Sequence, residues 1–311
     1  MKYKDWLVEW LNNYIKISVK HRTFSEYSSI VFAHIIPALG EYELDELTSQ
    51  KLQKFVSDLL QNGNLKNGGG LSSGSVNLIL GVLKKSLNSA VDFGIAEKSF
   101  ADKIIRPKMQ EKHVECFSKK EQREILEAVM LEKNRILKGV VICLFTGLRI
   151  GELLALEWSD IDFVNRTLNV NKSCHDGKIE DSSFGRIIDT PKTFSSKRII
   201  PIPKQLIPFL RDMKKESKSK NVISKDGKFL AVRCYQRSFS VLLKELGIPH
   251  KSFHALRHTF ATRALECGMD VKTLSEILGH KSPTLTLNRY VHSMIEHKRD
   301  MMNLVGKSFS F

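Results

Sequence analysis

Cysteine is scarce in this sequence, and the cysteines present follow no pairing pattern. The 311 residues contain five of them, scattered singly and with no Cys-x-x-Cys pair: Cys116, Cys143, Cys174, Cys234 and Cys267. An odd number of scattered thiols argues against a disulfide framework. We therefore expect the chain to work in a reducing, intracellular compartment.

The chain also lacks the long apolar segments that insert into membranes. No apolar run approaches the roughly 20 residues needed to cross a bilayer. The N-terminus, MKYKDWLVEW, is charged where a signal peptide would be apolar. No P-loop and no metal-ligand cluster is visible in the sequence, so no cofactor is expected. These absences predict a soluble, cytoplasmic protein without a membrane partner.

What the sequence has in excess is positive charge. Lys and Arg number 49 against 34 Asp and Glu, which gives a formal net charge of +15 and a pI near 9.5. An excess of this size favours a polyanionic partner, with nucleic acid ahead of an anionic membrane surface. Residues 1–110 carry a net charge of +3 and residues 111–311 a net charge of +12, so the second part is the more basic.

Hydrophobic periodicity predicts four helices in the first hundred residues. The first includes Trp6, Leu7, Trp10, Leu11 and Tyr14, and the others cover about 24–39, 49–61 and 76–93. The third has Thr48 as its expected N-cap. The stretch NGNLKNGGGLSSGS predicts a flexible connection before the fourth helix. Because a charged, proline-containing stretch follows, we predict one domain over 1–106, a linker over 107–116 and a second domain over 117–311.

The second domain is predicted to combine helices with a small antiparallel β-sheet. Helices are expected at about 118–132 and 135–146, and again within TGLRIGELLALEW after a glycine turn. Three β-branched runs, TLNVNKS, GRIIDTPK and SKRIIPIP, predict a three-stranded antiparallel sheet, with Lys192 at the turn between its second and third strands. Helices return from about residue 204 to the end. The predicted fold class is mainly α with a small antiparallel β-sheet.

The stretch SFHALRHTF contains two histidines with the spacing of a zinc hydrolase. In that motif a Glu follows the first histidine as general base, but here Ala255 follows His254. The spacing indicates no third ligand after His258, and Arg257 on the same turn would repel a cation. Zinc hydrolysis is therefore disfavoured, and no metal site is predicted.

The same stretch supplies groups that bind an anion. Arg257 has the planar fork that suits phosphate oxygens, and His254 lies three residues before it on the same predicted helical face. Arg149 begins another helix, whose N-terminus favours an anion. A set suited to phosphoryl transfer to a protein hydroxyl is completed by Lys192, His280 and Tyr290. Each residue alone has a simpler structural explanation, so the argument depends on the ordered set.

Several motifs resemble the tyrosine recombinase (phage integrase) family. They are TGLRIGELLAL, HALRHTFATRALECGMDVKTLSEILGH and LNRYVH, and the chain presents Arg, Lys, His-x-x-Arg, His and Tyr in the order of that family's active site. The resemblance covers residues 113–311. It extends loosely to 1–106, which resembles the family's four-helix core-binding (SAM-like) domain. The stretches FHALRHTFATR and LSEILGHKSPTLTLNRY are most similar to integrases of temperate phages and integrative conjugative elements.

The resemblance implies a tyrosine nucleophile. Tyr290 would attack the scissile phosphate of duplex DNA and form a 3′-phosphotyrosyl bond, and Lys192 would protonate the leaving 5′-oxygen. His254 would assist proton transfer at the nucleophile. Because the energy of the broken phosphodiester stays in the tyrosyl ester, cutting and rejoining would need neither ATP nor a metal.

The resemblance also implies a clamp for the phosphate. Arg149 and Arg257 would bind its non-bridging oxygens, and His280 would donate a hydrogen bond to it. Glu152 would support the site by orienting its neighbours. Fixed cations of this kind stabilise the charge of the transition state more than that of the ground state.

The implied partner is double-stranded DNA at specific recombination sites. A homo-oligomer, a tetramer on paired sites, would hold the DNA, with accessory DNA-bending or directionality proteins. The segment 297–311 would dock on a neighbouring protomer. Candidate contacts to the DNA backbone are four basic residues: Lys84, Lys85, Arg233 and Arg237.

Three alternatives share part of these features. A cellular recombinase that resolves replicon dimers has the same chemistry, and a type IB topoisomerase-like enzyme has it without paired sites. A DNA-binding regulator with an inactive site is disfavoured, because every chemical position is filled.

Many integrases also carry an N-terminal arm-binding domain. This chain begins at the core-binding helix, so we expect either a simpler recombinase or an omitted domain.

Overall fold

A computed structural model describes residues 1–109, 114–131, 136–178, 184–189, 197–225, 227, 230–280, 282–290 and 295–309. The side chains of residues 178, 184, 288–290, 295–298, 300 and 301 lie outside that description. The chain divides into two compact units, Met1–Lys112 and His113–Phe311. Residues 110–113 of the predicted linker lie outside the described residues, and the linker stays a prediction.

Four helical segments build the first unit, which confirms the four predicted helices. The first runs through α1 (Tyr3–Glu9), a π-helical turn (Trp10–Ile15) and α2 (Lys16–Ser18). The second runs through α3 (His21–Ile30), a π-helical turn (Val31–Ile35) and α4 (Ile36–Leu39). The third and fourth are α5 (Ser49–Asn62) and α6 (Ser73–Asp92). The π-helical turns were not predicted, because apolar spacing does not register a bulge within a helix.

A buried serine in the middle of α6 fixes α1 against it. The Nε1 of Trp6 donates to the backbone oxygen of Ser86 at 3.0 Å, and the hydroxyl of Tyr3 lies 2.5 Å from the Oγ of Ser86. All three residues are fully buried. The predicted cap of α5 is confirmed, since the Oγ1 of Thr48 accepts a hydrogen bond from the backbone N–H of Lys51. The first unit therefore has a hydrophobic core of its own.

The second unit is mainly helical. Among its described residues, three α-helices precede the strands: α7 (Lys119–Leu131), α8 (Lys138–Thr146) and α9 (Ile150–Ala155). Six follow them: α10 (Leu206–Lys215), α11 (Val232–Glu245), α12 (His254–Glu266), α13 (Val271–Leu278), α14 (Pro283–Tyr290) and α15 (Ile295–Ser308). These bounds confirm the predicted helical regions. Every residue of α8 from 139 to 144 is buried, which is typical of a helix at the centre of a core.

The described residues form two small antiparallel sheets where one was predicted. The strands β1 (Ile161–Asp162), β2 (Thr167–Val170) and β5 (Arg198–Pro201) form a sheet in the order β1-β2-β5. The strands β3 (Ser173–Lys178) and β4 (Phe184–Asp189) pair with each other in a second sheet. The prediction that GRIIDTPK shares one three-stranded sheet with TLNVNKS and SKRIIPIP is therefore wrong. Closing a short hairpin costs little chain entropy, so β4 pairs with the neighbouring β3.

The C-terminal helix leaves apolar side chains exposed. Met302, Leu304 and Val305 on α15 are all exposed, as is Phe309 just beyond it. The docking of residues 297–311 on a neighbouring protomer stays a prediction. Across the described ranges, no helix has the length and apolarity to cross a membrane.

Candidate active site

Arg149 and Glu152 are joined at the start of α9. Gly147 ends α8 in the left-handed region, with φ 66°, and Arg149 stands at the N-cap of α9. The backbone N–H of Arg149 donates to Oε2 of Glu152 at 2.9 Å, and its Nη1 donates to Oε1 at 2.8 Å. A glutamate at this position in the first turn commonly binds the N-cap backbone. Glu152 therefore holds both the backbone and the side chain of Arg149.

Arg257 connects the ends of two helices from the first turn of α12. Its Nη1 donates to the carbonyl of Gly147 at 2.8 Å, and its Nη2 donates to that of Leu278 at 2.6 Å. The residue is 1% exposed. The carbonyls at a helix C-terminus carry partial negative charge, and they compensate a buried guanidinium. Arg257 thus ties the end of α8 to the end of α13.

The two arginines converge on the turn before His280. The Nη2 of Arg149 donates to the carbonyl of Gly279 at 3.3 Å, one residue beyond the carbonyl that Arg257 binds. Gly279 ends α13 with φ 64°, a left-handed cap that favours glycine. Arg149, Arg257 and His280 are far apart in the sequence, and the structure brings them together.

A threonine links His280 to the helix that carries Tyr290. The Nδ1 of His280 lies 2.7 Å from the Oγ1 of Thr286, and Thr286 is fully buried. Tyr290 is the last residue of α14, and its side chain lies outside the described residues. Sequence reasoning missed Thr286. Its spacing of four residues from Tyr290, which places both on one helical face, was the available signal.

Arg198 is a second residue that sequence reasoning missed. It lies at a buried position of β5, where Ile199 is exposed and Ile200 is buried. Its Nη1 and Nη2 donate to Oε1 and Oε2 of Glu152 at 3.0 and 2.9 Å. The signal was an arginine at an inward-facing position of an alternating strand, because a buried charge requires a partner.

The surrounding cations keep Glu152 ionised. Burial alone would raise the pKa of Glu152, but hydrogen bonding and charge from Arg198, together with the charge and backbone N–H of Arg149, lower it to about 2. The neighbouring Cys143 is buried, and burial raises the pKa of its thiol, which stays neutral. Two guanidiniums therefore face one carboxylate, and the buried guanidinium of Arg257 adds to the positive character of the site, which suits a phosphate.

The two histidines at the start of α12 lie close together. Their ring centroids are 4.5 Å apart in an edge-to-face arrangement. His254 is exposed, His258 is half-buried and Arg257 is buried, so His254 and Arg257 have different environments. In the part of the chain that the structure describes, no group of three or more His, Cys, Asp or Glu residues is placed to hold a metal ion. Lys192 lies outside the described residues.

The four candidate DNA contacts belong to both units. Lys84 is half-buried and forms an ion pair with Asp102. Lys85 is exposed, and so are Arg233 and Arg237, which lie one turn apart on α11. The assignment of these residues to DNA stays a prediction.

Two family models match the chain. Residues 115–297 match the model described as the phage integrase family, and residues 2–60 match the phage integrase N-terminal SAM-like domain. The first match spans more than half of the sequence.

Curated relatives include two that cover most of the chain. A tyrosine recombinase XerC-like protein of Caldanaerobacter subterraneus subsp. tengcongensis is 32% identical, over 98% of this chain and 83% of that protein. The ICEBs1 integrase of Bacillus subtilis is 24% identical, over 92% of this chain and 78% of that protein.

Solved structures show the same fold. The Tn1549 transposon integrase in complex with a circular intermediate DNA matches with a TM-score of 0.81 at 24% identity, over 98% of this chain and 99% of that one. A lambda integrase tetramer bound to a Holliday junction matches with a TM-score of 0.69 at 20% identity, over 91% of this chain and 79% of that one.

Proposed function

Because the chain belongs to the phage integrase family, we propose that it is a site-specific recombinase of a mobile element, which cuts and rejoins duplex DNA through a 3′-phosphotyrosyl intermediate. One observation supports the placement of the phosphate. The guanidiniums of Arg149 and Arg257 bind the consecutive carbonyls of Gly279 and Leu278, immediately before His280. The scissile phosphate would lie against Arg149, Arg257 and His280.

Arg149 is the arginine that an incoming phosphate meets first. Its side chain is 36% exposed, whereas Arg257 is 1% exposed. DNA must therefore uncover Arg257 before both arginines bind the non-bridging oxygens. Arg149 is held by Glu152 before the reaction, so its guanidinium stabilises the developing charge without reorganising. Because the Nδ1 of His280 faces Thr286, we assign its Nε2 to the phosphate.

The proposed covalent step conserves one phosphate ester bond. The hydroxyl oxygen of Tyr290 attacks phosphorus, and the bond from phosphorus to the 5′-oxygen breaks. Lys192 gives a proton to the leaving oxygen, and His254 assists removal of the tyrosine proton. Attack by a 5′-hydroxyl on the tyrosyl ester reverses the step, rejoins the strand and releases Tyr290. No step of this proposed reaction uses ATP or a metal.

The proposed partner is double-stranded DNA at paired recombination sites in the cytoplasm. The tetramer of lambda integrase on a Holliday junction supports a tetramer of this chain on paired sites. We propose that both domains, residues 1–106 and 117–311, bind the DNA and that residues 107–116 form the linker between them. Lys84, Lys85, Arg233 and Arg237 would contact the backbone.

A second candidate function has specific support. The XerC-like relative favours a cellular recombinase that resolves replicon dimers. The ICEBs1 integrase and the Tn1549 transposon integrase favour a mobile element. The chemistry is shared, so the two candidates differ in the DNA sites that they join.

A suicide substrate tests the proposed chemistry. A nicked duplex carrying an end of the element that encodes the chain loses a short fragment after cleavage, which prevents rejoining. We expect a covalent protein–DNA adduct with the wild-type chain and none with Tyr290→Phe. Tyr42, an exposed tyrosine of the first unit, provides the matched control, and Tyr42→Phe should form the adduct at the wild-type rate.

The outcomes separate the alternatives. Binding of this duplex by the wild-type chain without any adduct would indicate an inactive DNA-binding regulator. Relaxation of a single supercoiled plasmid without strand exchange between two duplexes would indicate a topoisomerase-like enzyme. Strand exchange at replicon-dimer sites, and not at the element's ends, would indicate the cellular recombinase.

A further inference from the structure

Three arginines bind three consecutive carbonyls at the end of α13. The Nε of Arg198 donates to the carbonyl of Ile277 at 2.5 Å. Arg257 binds the carbonyl of Leu278 at 2.6 Å, and Arg149 binds that of Gly279 at 3.3 Å. The last carbonyls of a helix lack partners within the helix. Three arginines therefore hold the chain segment that leads into His280.

Arg198 differs from the other two arginines because its guanidinium donates to both oxygens of Glu152. Each oxygen of Glu152 accepts one bond from Arg149 and one from Arg198, at 2.8 to 3.0 Å. The side chains of Arg198 and Glu152 are each 6% exposed. All three guanidinium nitrogens of Arg198 donate to Glu152 or to the carbonyl of Ile277, and both of these residues belong to the proposed site or adjoin it.

The strand that carries Arg198 gives it a rigid base. Arg198 lies at the start of β5, where it is paired with Val170 of β2. A planar guanidinium can donate to both carboxylate oxygens and, through its Nε, to a third acceptor. A lysine has a single ammonium and cannot reproduce that fork. The contacts of Arg198 thus depend on the shape of its side chain as well as on its charge.

We propose that Arg198 is a positioning residue, which fixes Glu152 and the last turn of α13 and thereby sets where Arg149 and His280 meet the scissile phosphate. This inference rests on the proposed function. Arg198 acts through its neighbours and does not touch the phosphate. Its loss should slow strand cleavage more than it weakens DNA binding.

Two substitutions at Arg198 test the proposal on the nicked suicide duplex described above. Support residues of this kind typically affect activity by 10- to 100-fold, so we expect cleavage to slow about 10-fold in Arg198→Lys and about 100-fold in Arg198→Gln. The affinity for the uncleaved duplex should stay within about 2-fold, because the guanidinium of Arg198 binds Glu152 and Ile277 and, in this proposal, not the phosphate. Arg198→Lys keeps the buried charge, so it guards against simple misfolding.

The pH profile supplies a readout that general destabilisation does not move. Among the described residues, Glu152 faces Arg149 at the start of its own helix, Arg198 of β5 and Cys143 of α8. Without Arg198, burial of Glu152 is opposed by Arg149 alone, so its pKa should rise. The acid limb of cleavage should then move to higher pH in Arg198→Gln than in the wild type.

A matched control separates positioning from stability. Lys172 forms ion pairs with Glu157 at 2.9 Å and with Asp160 at 3.1 Å in the same unit. Lys172→Gln should cleave at the wild-type rate. The inference is overturned if Arg198→Lys cleaves as fast as the wild type, or if Lys172→Gln loses as much activity. If the wild-type chain forms no adduct, the proposed function itself fails, and the inference falls with it.

Discussion

At the scale of single residues, Glu152 is where the proposed site is most densely bonded. Its two carboxylate oxygens accept four hydrogen bonds from Arg149 and Arg198. Removing one member of a buried ion pair leaves the other charge uncompensated, which is more costly than losing an exposed pair. The residue therefore connects the stability of the second unit with the geometry of the site.

Glu152→Gln should destabilise the protein in a pH-dependent way. The pKa of Glu152 is lowered to about 2 from an ordinary value of 4.5, so its stabilisation is fully present above the ordinary value and is lost as pH falls toward 2. At pH 7 we expect the variant to lose about 3 kcal/mol of unfolding free energy. Urea unfolding from pH 7 to pH 3 should show this deficit shrinking in acid. A deficit that is constant over this range would contradict the assigned ion pairs.

Thr286→Val should affect the reaction more than the fold. Valine has the shape of threonine but lacks the hydroxyl that lies 2.7 Å from the Nδ1 of His280. We expect cleavage of the suicide duplex to slow about 10-fold, as is typical for the loss of a residue that orients a histidine. Thr284 is exposed on the same helix, and Thr284→Val should keep the wild-type rate. Equal rates for the two variants would show that Thr286 does not orient His280.

The order of motifs in the sequence was enough to single out Arg149, Arg257 and His280, which the structure brings together. It did not reveal Arg198 or Thr286. Each residue has only a weak local signal: Arg198 takes an inward-facing position of an alternating strand, and Thr286 lies four residues before Tyr290. Their importance comes from partners that are distant in the chain, and a buried partner becomes visible only when the fold is known.

At the scale of secondary structure, the proposed site is built from the ends of helices. The C-terminal ends of α8 and α13 supply the carbonyls that hold the arginines, and the start of α9 supplies Arg149 itself. Glycines with positive φ end both α8 and α13. The turns at Gly147 and Gly279 therefore determine where the charged groups meet.

Gly147→Ala should destabilise the protein more than Gly247→Ala does. Both glycines have φ 66°, so each alanine incurs the same left-handed strain, about 1–2 kcal/mol. At Gly147 a Cβ would also lie 2.5 Å from the ring of Phe260 and 2.9 Å from Leu278, whereas at Gly247 it would meet no atom within 4 Å. Overpacking adds about 1–3 kcal/mol. Thermal unfolding should show a larger fall in Tm for Gly147→Ala, and equal falls would contradict the packing around Gly147.

The helices could be predicted from the sequence because apolar spacing reports directly on one helical face. Three strands, β2, β4 and β5, could be recognised in the β-branched runs, but β1 and β3 were not predicted. The partners of the predicted strands could not be recognised. An alternating run indicates which side chains are buried, but it does not indicate which other strand lies beside it. The separate pairing of β3 with β4 therefore could not be predicted from the β-branched runs alone.

At the scale of the whole molecule, each unit has its own hydrophobic core, and the net charge is +15. Such a charge favours binding of DNA through its phosphates, with an affinity that falls steeply as salt displaces the protein. Sequence composition was sufficient to predict a polyanionic partner, and the family resemblance implied that this partner is DNA. The DNA sequence that is recognised depends on base contacts, which composition does not describe.

Binding to a duplex of random sequence should be strongly salt-dependent. If the protein contacts six or more phosphates, its affinity should fall by about 1,000-fold as salt rises from 50 to 200 mM. The double variant Arg233→Gln, Arg237→Gln should lower the slope of log affinity against log salt by about 2. Fluorescence anisotropy measures that slope.

The control for this prediction removes the same charge elsewhere. Lys2 and Lys4 both form ion pairs with Glu41, and the double variant Lys2→Gln, Lys4→Gln should keep the wild-type slope. If the two double variants change the slope equally, α11 has no special role in holding DNA.

The identity of the tyrosine that becomes joined to DNA tests the account most directly. The adduct on the suicide duplex can be digested with nuclease and trypsin, and the peptide that retains a nucleotide can be sequenced by mass spectrometry. Trypsin cuts after Arg289 and Lys298, so the account predicts the modification on the first residue of the peptide YVHSMIEHK, which is Tyr290. A nucleotide on any of the other five tyrosines, or on no tyrosine, would contradict it.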